Sequence, residues 1–365
     1  MKLVANLKLT PTPEQHAALL DTLRVSNHAC TWLAKEAWDS QTFGQFALHK
    51  LTYERCRAKF GLAAQMTVRC IAKVTDAYKL DRTTRRRFQR YAAQPYDDRI
   101  FRFCSDTALS LWTMQGRMTI GYQCGERQRV LLAFRKGEVD LMYIRGTFYL
   151  AVVCDVLEPE EMGIERVLGV DFGIVNLALD SDGTVYTGAT VDRKRQRYQA
   201  RREGLQRHGT RSARRRLKLL KGKQARFQQD VNHTIAKRLV DRAQRSAAGI
   251  ALEDLTGIRQ RVKARRSQRP RHANWGFFQL RQCVTYKAAL AGVPVILVDP
   301  RHTSQECSHC GHIAKGNRPT QGHFSCRLCG YTTKADFNAA QNIKTRAAVN
   351  QRIVAQPRQL RLALA

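Results

Sequence analysis

The sequence lacks any apolar run of 18 residues, and its N-terminus carries no apolar core of a signal peptide. A membrane-spanning helix needs about 20 consecutive apolar residues, so these absences argue against a transmembrane protein. Acidic residues are also scarce, because 30 Asp and Glu stand against 63 Lys and Arg. We therefore expect a cytoplasmic protein that acts without a membrane.

The excess of basic residues gives a formal net charge of +33. A charge this large opposes compaction and is usually neutralised by a polyanion, with nucleic acid ahead of an anionic membrane. The chain of 365 residues is long enough for two or three domains, each with its own core. Composition thus predicts a multi-domain protein that binds nucleic acid.

Residues 167–178 place one carboxylate between two apolar runs. Residues 167–170 predict a buried strand, and Gly173 predicts a bend that something else approaches closely. An aspartate in such a strand is costly unless it is paired or binds a cation. Asp171 is therefore a candidate metal ligand, with the capping of a turn between two strands as the alternative.

Two further acids stand at matching points of the sequence. Glu253 ends a strand predicted over 248–253, and Asp336 begins a final helix predicted over 335–349. Alternation along the strand points Glu253 away from the side that Asp254 faces. Taken singly, Glu253 has pairing with an arginine as an alternative role, and Asp336 has helix capping.

Together, Asp171, Glu253 and Asp336 predict a catalytic site with two Mg²⁺ ions. Converging carboxylates repel unless divalent cations neutralise them, and Mg²⁺ or Mn²⁺ prefers such oxygen ligands. A pair of these ions about 3.5–4 Å apart activates water and stabilises the leaving oxygen of a phosphodiester. The three acids therefore predict a metal-dependent hydrolase acting on nucleic acid.

Two Cys-x-x-Cys pairs give the sharpest signal in the chain. Cys307 and Cys310 form the first pair, Cys326 and Cys329 form the second, and 15 residues separate them. Four thiolates at this spacing bind Zn²⁺ tetrahedrally in a closed, structural site. The alternative, a redox pair, would not come doubled in a short basic loop.

Two segments concentrate the positive charge. Residues 193–226 hold 15 Lys and Arg with one acid, and residues 259–271 hold seven with none. Leucines and aromatic residues interrupt the first segment, which favours helices lying along phosphates over a solvated or disordered run. The candidate nucleic-acid-binding residues are Arg193, Lys194, Arg195, Arg214, Arg215, Arg216, Lys218, Arg261, Lys263, Arg265 and Arg266.

The N-terminal part predicts strands around a helical insertion. Residues 2–9 alternate as a strand, and Thr12 caps the first of the helices predicted up to about residue 92. Short strands follow, with a hairpin turn at Arg145-Gly146. We expect the first strand to join this later sheet.

The order beyond residue 166 predicts an α/β domain with a mixed sheet. Three adjacent strands come first, and a helical region over 192–245 follows them. A strand, a helix over about 274–291, a strand and the final helix complete the domain.

These motifs resemble those of the TnpB family, the accessory proteins of insertion sequences that are related to type V CRISPR effectors. The resemblance covers about residues 166–346 and is weaker before them. Many relatives have an arginine just before the final acid, where this chain has Ala335. The matching motifs are Asp171-Phe-Gly-Ile-Val-Asn176, Glu253-Asp-Leu, Thr303-Ser-Gln-Glu-Cys307, both cysteine pairs and Asp336-x-Asn338-Ala-Ala-x-Asn342-Ile.

The resemblance implies a multi-domain fold with an α/β RNase H-like (RuvC-type) nuclease domain, a zinc-ribbon insertion, and an N-terminal β-barrel wedge interrupted by a helical recognition lobe. The implied boundaries are 1–10 and 93–165 for the wedge, 11–92 for the lobe, 166–302 and 335–350 for the nuclease, 303–334 for the target-nucleic-acid-binding zinc ribbon, and 351–365 for a tail.

The resemblance also implies an RNA-guided DNA endonuclease of an insertion sequence, acting at the nucleoid of a prokaryote. A guide RNA from the transposon end would read target double-stranded DNA by base pairing, and the protein would read a short adjacent motif. No protein partner is required. One alternative is a nuclease-independent RNA-guided DNA-binding protein, against which the three acids argue. The other is an RNase H-fold transposase or integrase, against which the zinc ribbon argues.

Overall fold

The computed structural model describes residues 1–173, 176–187, 189–254 and 277–362. The chain forms two compact units, Met1–Leu157 and Glu158–Ala365. Each unit has a hydrophobic core of its own, so the protein is multi-domain. Among the helices of the described ranges, none is long and apolar enough to cross a membrane.

A seven-stranded antiparallel sheet dominates the first unit. Its strands are β1 (Lys2–Thr10), β2 (Gln94–Tyr96), β3 (Phe101–Phe103), β4 (Ala108–Thr113), β5 (Gly116–Gln123), β6 (Arg135–Ile144) and β7 (Thr147–Asp155). The order across the sheet is β2-β6-β7-β1-β5-β4-β3. Only residues 97–100 join the two edge strands, a link that spans at most about 18 Å. Tyr96 Oη also donates a hydrogen bond to Trp112 O at 3.0 Å, so the sheet is nearly closed.

β1 lies in the middle of this sheet, although helices separate it from every other strand along the chain. It pairs with β7 from Lys2↔Asp155 to Lys8↔Tyr149, and its last residues pair with β5. The predicted joining of the first strand to the later sheet is confirmed. The register of β6 and β7 confirms the predicted hairpin as well.

The helices of the first unit are α1 (Pro13–Asp39), α2 (Gln45–Phe60), α3 (Ala64–Leu80) and the short α4 (Glu126–Leu132). Thr12 caps α1 as predicted, because its hydroxyl accepts from the Gln15 N–H while the Gln15 side chain accepts from the Thr12 N–H. Reciprocal bonds of this kind stabilise a helix start.

The predicted continuation of the helices to residue 92 is wrong, since residues 81–93 contain no helix. Side chains of α1 bind the backbone of this segment instead. Thr31 Oγ1 accepts from the Phe88 N–H at 3.1 Å, and Asn27 Nδ2 donates to Ala92 O at 2.9 Å. These bonds satisfy backbone groups that would otherwise bond within a helix.

The second unit is built on a five-stranded mixed sheet. Its strands are β8 (Arg166–Asp171), β9 (Asn176–Asp180), β10 (Val185–Thr187), β11 (Ala248–Glu253) and β12 (Val295–Val298), in the order β10-β9-β8-β11-β12. β8, β11 and β12 are parallel neighbours, and β9 is antiparallel to both of its neighbours, β8 and β10. The predicted α/β order with a mixed sheet is confirmed. A separate hairpin consists of β13 (His323–Ser325) and β14 (Thr332–Lys334).

The α-helices in the described residues of the second unit are α5 (Ala189–His208), α6 (Arg211–Arg245), α7 (Phe277–Leu290) and α8 (Ala335–Leu362). The region predicted as one helical stretch over 192–245 is divided at Gly209, which has φ +58°. Thr210 then caps α6 by accepting from the Ala213 N–H. α8 continues beyond its predicted end at residue 349.

Alternate residues of β8 and β11 face opposite sides of the sheet. The core on one side contains Leu168, Val170, Ile250, Leu252 and residues of α6 and α7. The core on the other side contains Val167, Ala251 and residues of α8. The sheet therefore lies between α6 and α7 on one face and α8 on the other.

Gly169 allows α8 to lie directly on the backbone of β8. A Cβ added at Gly169 would lie 2.2 Å from Ala340 O and 2.5 Å from Lys344 N. Only a glycine permits so close an approach between a strand and a helix. The contact fixes the position of α8 along β8.

Candidate functional site

The three predicted acids lie on the face of the sheet that α8 covers. Asp171 ends β8 and Glu253 ends β11, and alternation points both side chains to that face. The strands are parallel neighbours in the register Leu252↔Val170, so their ends lie about 4.8 Å apart. Asp336 stands in the first turn of α8. The fold thus brings together acids from three distant parts of the sequence.

Asp171 and Glu253 have perturbed pKa values. Burial raises the pKa of Asp171 well above its ordinary value, and the charges of Glu253 and Asp336 raise it further. Burial also raises the pKa of Glu253, against a hydrogen bond from Thr303. Such carboxylates repel unless a cation lies among them. Their oxygens are ligands of the kind that Mg²⁺ and Mn²⁺ prefer, so the donor set fits hard divalent cations.

Gly173 and Asn176 lie where β8 approaches α8. Asn176 Nδ2 donates to Asp336 Oδ2 at 3.1 Å. A Cβ added at Gly173 would lie 2.5 Å from Asn176 O and 3.6 Å from Asp336 Oδ2. The close approach predicted at Gly173 is confirmed, and the amide of Asn176 orients Asp336.

Arg318 brings a positive charge to the acids, and the sequence reasoning missed it. Its Nη2 lies 3.8 Å from Asp336 Oδ1. Burial raises the pKa of Asp171, and the charge of Arg318 opposes that rise. The guanidinium also donates to Gln321 O at 2.6 Å, which anchors it. No sequence signal distinguishes Arg318 from the other basic residues between the cysteine pairs.

The four predicted cysteine ligands form a compact cluster. Cys307 Sγ lies 3.8 Å from Cys329 Sγ, and Cys310 Sγ lies 3.6 Å from Cys326 Sγ. Zinc–sulfur bonds of about 2.3 Å in a tetrahedron separate the sulfurs by about 3.8 Å. A glycine with positive φ follows each pair and lets the chain turn around the cluster. The geometry therefore fits a tetrahedral metal ion.

The pKa values of Cys326 and Cys310 are shifted in opposite directions. The backbone of Cys329, together with that of Leu328, lowers the pKa of Cys326 to about 6. The backbone of His312 lowers the pKa of Cys310, but desolvation and the neighbouring sulfurs outweigh it and raise that pKa to about 12. Only a bound cation would let four such thiols ionise together.

The cysteine cluster is more compact than the group of acids. Its four ligand atoms all lie within 4.8 Å of one another, and no other group of three or more His, Cys, Asp or Glu in the described part of the chain does so. The three carboxylates are therefore spread more widely than the ligands of one tetrahedral ion.

Two family profiles match the chain. Residues 151–256, which include Asp171 and Glu253, match OrfB_IS605, a family described as a probable transposase. Residues 277–343, which include the four cysteines and Asp336, match the Cas12f1-like TNB domain.

Curated relatives match the same part of the chain. The CRISPR-associated endodeoxyribonuclease Cas12f1 of Sulfoacidibacillus thermotolerans is 34% identical over an alignment of 218 residues, which covers 54% of this chain and 50% of the relative. InsQ of Escherichia coli (strain K12), by name a candidate RNA-guided DNA endonuclease, is 32% identical over an alignment of 222 residues, which covers 54% of this chain and 53% of InsQ. The TnpB-like protein MJ0751 of Methanocaldococcus jannaschii is 28% identical over an alignment of 200 residues, which covers 52% of this chain and 70% of that protein.

The resemblance to the TnpB family is confirmed. The chain spans about half the length of the Cas12f1 and InsQ relatives. The cryo-EM structure of a Cas12f1–sgRNA–target DNA complex aligns with 94% of this chain and 99% of that chain, at 13% identity and a TM-score of 0.41.

The candidate nucleic-acid-binding residues have different surroundings. Arg193 is exposed on α5, and Arg214, Arg215, Arg216 and Lys218 are exposed on α6. Lys194 Nζ lies over the Phe227 ring, 4.6 Å from its centre, and Arg195 Nη2 donates to Gln228 Oε1 at 2.7 Å. The remaining candidates, Arg261, Lys263, Arg265 and Arg266, lie outside the described residues.

Proposed function

We propose that this chain is an RNA-guided DNA endonuclease of an insertion sequence, which hydrolyses phosphodiester bonds in target DNA next to a short motif. The observation that carries the proposal is the meeting of Asp171, Glu253 and Asp336 on one face of the sheet. The names of Cas12f1 and InsQ support DNA as the substrate and RNA as the guide.

The proposal includes an RNase H-like, RuvC-type nuclease domain at 166–302 and 335–350. Its support is the sheet order 3-2-1-4-5, counted from β8, with the first acid on the central strand. The nearly closed sheet supports a wedge at 1–10 and 93–165, interrupted by a helical lobe at 11–92. We assign 303–334 to a zinc ribbon that binds target nucleic acid, with Zn²⁺ held by the four cysteines, and 351–365 to a tail.

The three carboxylates would hold Mg²⁺, which activates water and stabilises the leaving oxygen of a phosphodiester. Asn176 fixes the orientation of Asp336 through its amide, and Thr303 does the same for Glu253 through its hydroxyl. Arg318 places a guanidinium beside Asp336, where it attracts the phosphate of a bound strand. The exposed arginines of α6 bind phosphates of the RNA or DNA.

The test begins with the full chain expressed together with the ends of its insertion sequence. RNA that co-purifies with the protein is sequenced, and a plasmid matching the guide region of that RNA is incubated with the complex and Mg²⁺. We expect one bound RNA species and cleavage that a chelator of Mg²⁺ stops. The proposal would be contradicted if the purified protein contained no RNA, or if it cleaved matched and unmatched plasmids equally.

A transposase is the second candidate, because one of the matching profiles is described as a probable transposase. Both functions would use the same acids, so the product decides between them. A transposase joins the cut end to a second DNA molecule without RNA. The same plasmid reaction, probed for joined strands in the absence of RNA, separates the two functions.

A further inference from the structure

Two asparagines of the Asp336-x-Asn338-Ala-Ala-x-Asn342 motif have no part in the proposed chemistry, yet both are buried. Asn338 is 0% exposed and Asn342 is 4% exposed. Burial of an amide is costly unless its polar atoms are hydrogen-bonded. The two residues stand four positions apart, so they share one face of α8.

This face holds residues 299–308, which we call the leader segment because it leads into the first cysteine pair. Asn338 Nδ2 donates to Glu306 O at 2.7 Å, and its Oδ1 accepts from the Ser308 N–H at 3.0 Å. Asn342 Nδ2 donates to Thr303 O at 2.9 Å and to Glu306 O at 2.8 Å. Each asparagine therefore binds the backbone of the leader segment at two places.

Arg346 extends the same row by one more turn of α8. Its Nη1 donates to Asp299 O at 2.8 Å and to Arg301 O at 2.7 Å, and its Nη2 contacts the Glu306 carboxylate. Side chains at i, i+4 and i+8 of one helix thus hold the leader segment along its length.

The leader segment reaches both candidate metal sites. At one point the buried Thr303 donates from Oγ1 to Glu253 Oε1, and its carbonyl is held by Asn342. At its end the Ser308 N–H, which lies between Cys307 and Cys310, is held by Asn338. A hydroxyl on a fixed backbone orients its carboxylate, as partners behind metal ligands commonly do.

We infer that Asn338, Asn342 and Arg346 are positioning residues, which tie the four-cysteine site to the carboxylate site through the leader segment. Asn338 holds the first cysteine turn, Asn342 holds Thr303, and both bind Glu306 O, so removal of either amide loosens the segment that joins the two sites. The inference rests on the proposed function, since it takes Glu253 as a ligand of the divalent ion.

The experiment uses the full, Zn²⁺-loaded chain and two measurements that need no cleavage. Electron paramagnetic resonance gives the affinity of the carboxylate site for Mn²⁺, and a colorimetric chelator gives the rate of Zn²⁺ release from the cysteines. Thr303→Val should weaken Mn²⁺ binding by about 10-fold, the low end for a partner of a metal ligand, and leave Zn²⁺ release unchanged. Thr303→Ser keeps the hydroxyl and should restore Mn²⁺ binding.

Asn338→Leu and Asn342→Leu should each weaken Mn²⁺ binding and also speed Zn²⁺ release. The matched control is Thr345→Ala on the same helix, because Thr345 is exposed and its hydroxyl donates only within α8, to Gln341 O at 3.1 Å. The control should behave as the wild type in both measurements. Circular dichroism shows whether each variant is folded. If an asparagine variant is unfolded, the comparison of Thr303→Val with Thr303→Ser serves as the test.

Wild-type values for Asn342→Leu in both measurements would overturn the inference, as would equal Mn²⁺ binding by Thr303→Val and Thr303→Ser. A wild-type chain that binds no Mn²⁺ would instead remove the proposed carboxylate site, and the inference with it. The two failures are therefore distinguishable, because the first occurs only when the wild type binds Mn²⁺.

Discussion

Asp254 Oδ1 accepts a hydrogen bond from Arg281 Nη1 at 2.7 Å. Glu253, one residue earlier, is half-buried and hydrogen-bonded to Thr303. Neighbouring residues of an extended chain point to opposite sides, so the two acids have separate roles. Asp254 pairs with α7, and Glu253 faces the other acids.

Asp171→Ala, Glu253→Gln and Asp336→Ala should each lower the rate of DNA cleavage by about 100-fold or more, as the loss of one preorganised group in an active site does. Guide RNA and target binding should stay nearly intact, because base pairing and phosphate contacts supply them. Cleavage of a guide-matched plasmid with Mg²⁺, beside a gel-shift assay, measures both properties.

Asp254→Asn is the matched control for these variants and should cut nearly as well as the wild type. It removes the charge that pairs with Arg281 and leaves the carboxylate face unchanged. An inactive Asp254→Asn together with an active Glu253→Gln would show that the other face of β11 carries the site.

Gly169→Ala should lower the free energy of unfolding of the second unit by about 3 kcal/mol, the upper end for an overpacked core. The new methyl group would overlap Ala340 O and Lys344 N, which are backbone atoms. The control is Gly204→Ala on α5, where nothing lies within 4 Å. It should be neutral or stabilising by about 0.5–1 kcal/mol, because alanine favours helix over glycine. Denaturant unfolding gives both values, and equal stability of the two variants would mean that α8 does not lie on β8.

Cys326→Ser should lose bound Zn²⁺ and lower the Tm of the second unit, because a structural zinc ion contributes its binding energy to folding. Elemental analysis of protein purified without chelator, followed by calorimetry, makes the measurement. Cys104→Ser is the control, since Cys104 is exposed and belongs to the first unit. Wild-type protein without zinc would rule out the assignment.

An α6 variant should bind RNA more weakly and with a smaller dependence on salt. In this variant alanine replaces Arg214, Arg215, Arg216 and Lys218. Each phosphate that the protein no longer neutralises reduces the slope of log K against log salt by about 0.7–0.9, so four such phosphates correspond to about 3. The control replaces Arg24 and Lys35, exposed cations already paired with Asp21 and Asp39. An unchanged slope in the α6 variant would show that these side chains are only solvated.

The fold was predictable where it depends on local periodicity. Short apolar runs in residues 167–170 and 248–253 predicted β8 and β11, and alternation along the second strand predicted the side of the sheet that Glu253 faces. The prediction of helix through residue 92 was wrong because the structure of that segment depends on distant residues. Its backbone is bound by Thr31 and Asn27, which lie about 60 positions away and leave no trace in local propensity.

The candidate site was predictable only in its strongest chemical signals. The spacing of the paired cysteines predicts a metal site. An aspartate within an apolar strand predicts a functional role, because burying its charge is costly. No sequence pattern identifies Arg318 or Thr303, because each contacts its acidic partner only in the tertiary structure.

The central position of β1 also has a consequence for synthesis on the ribosome. Its neighbours are residues 121–123 and 149–155, so β1 cannot complete its pairing until most of the first unit has been synthesised. At 5–20 residues per second this delay is on the order of ten to thirty seconds. During that time the apolar side of β1, with Ala5, Leu7 and Leu9, has no sheet to enter. A nascent chain stopped before residue 149 therefore keeps β1 without its long pairing to β7.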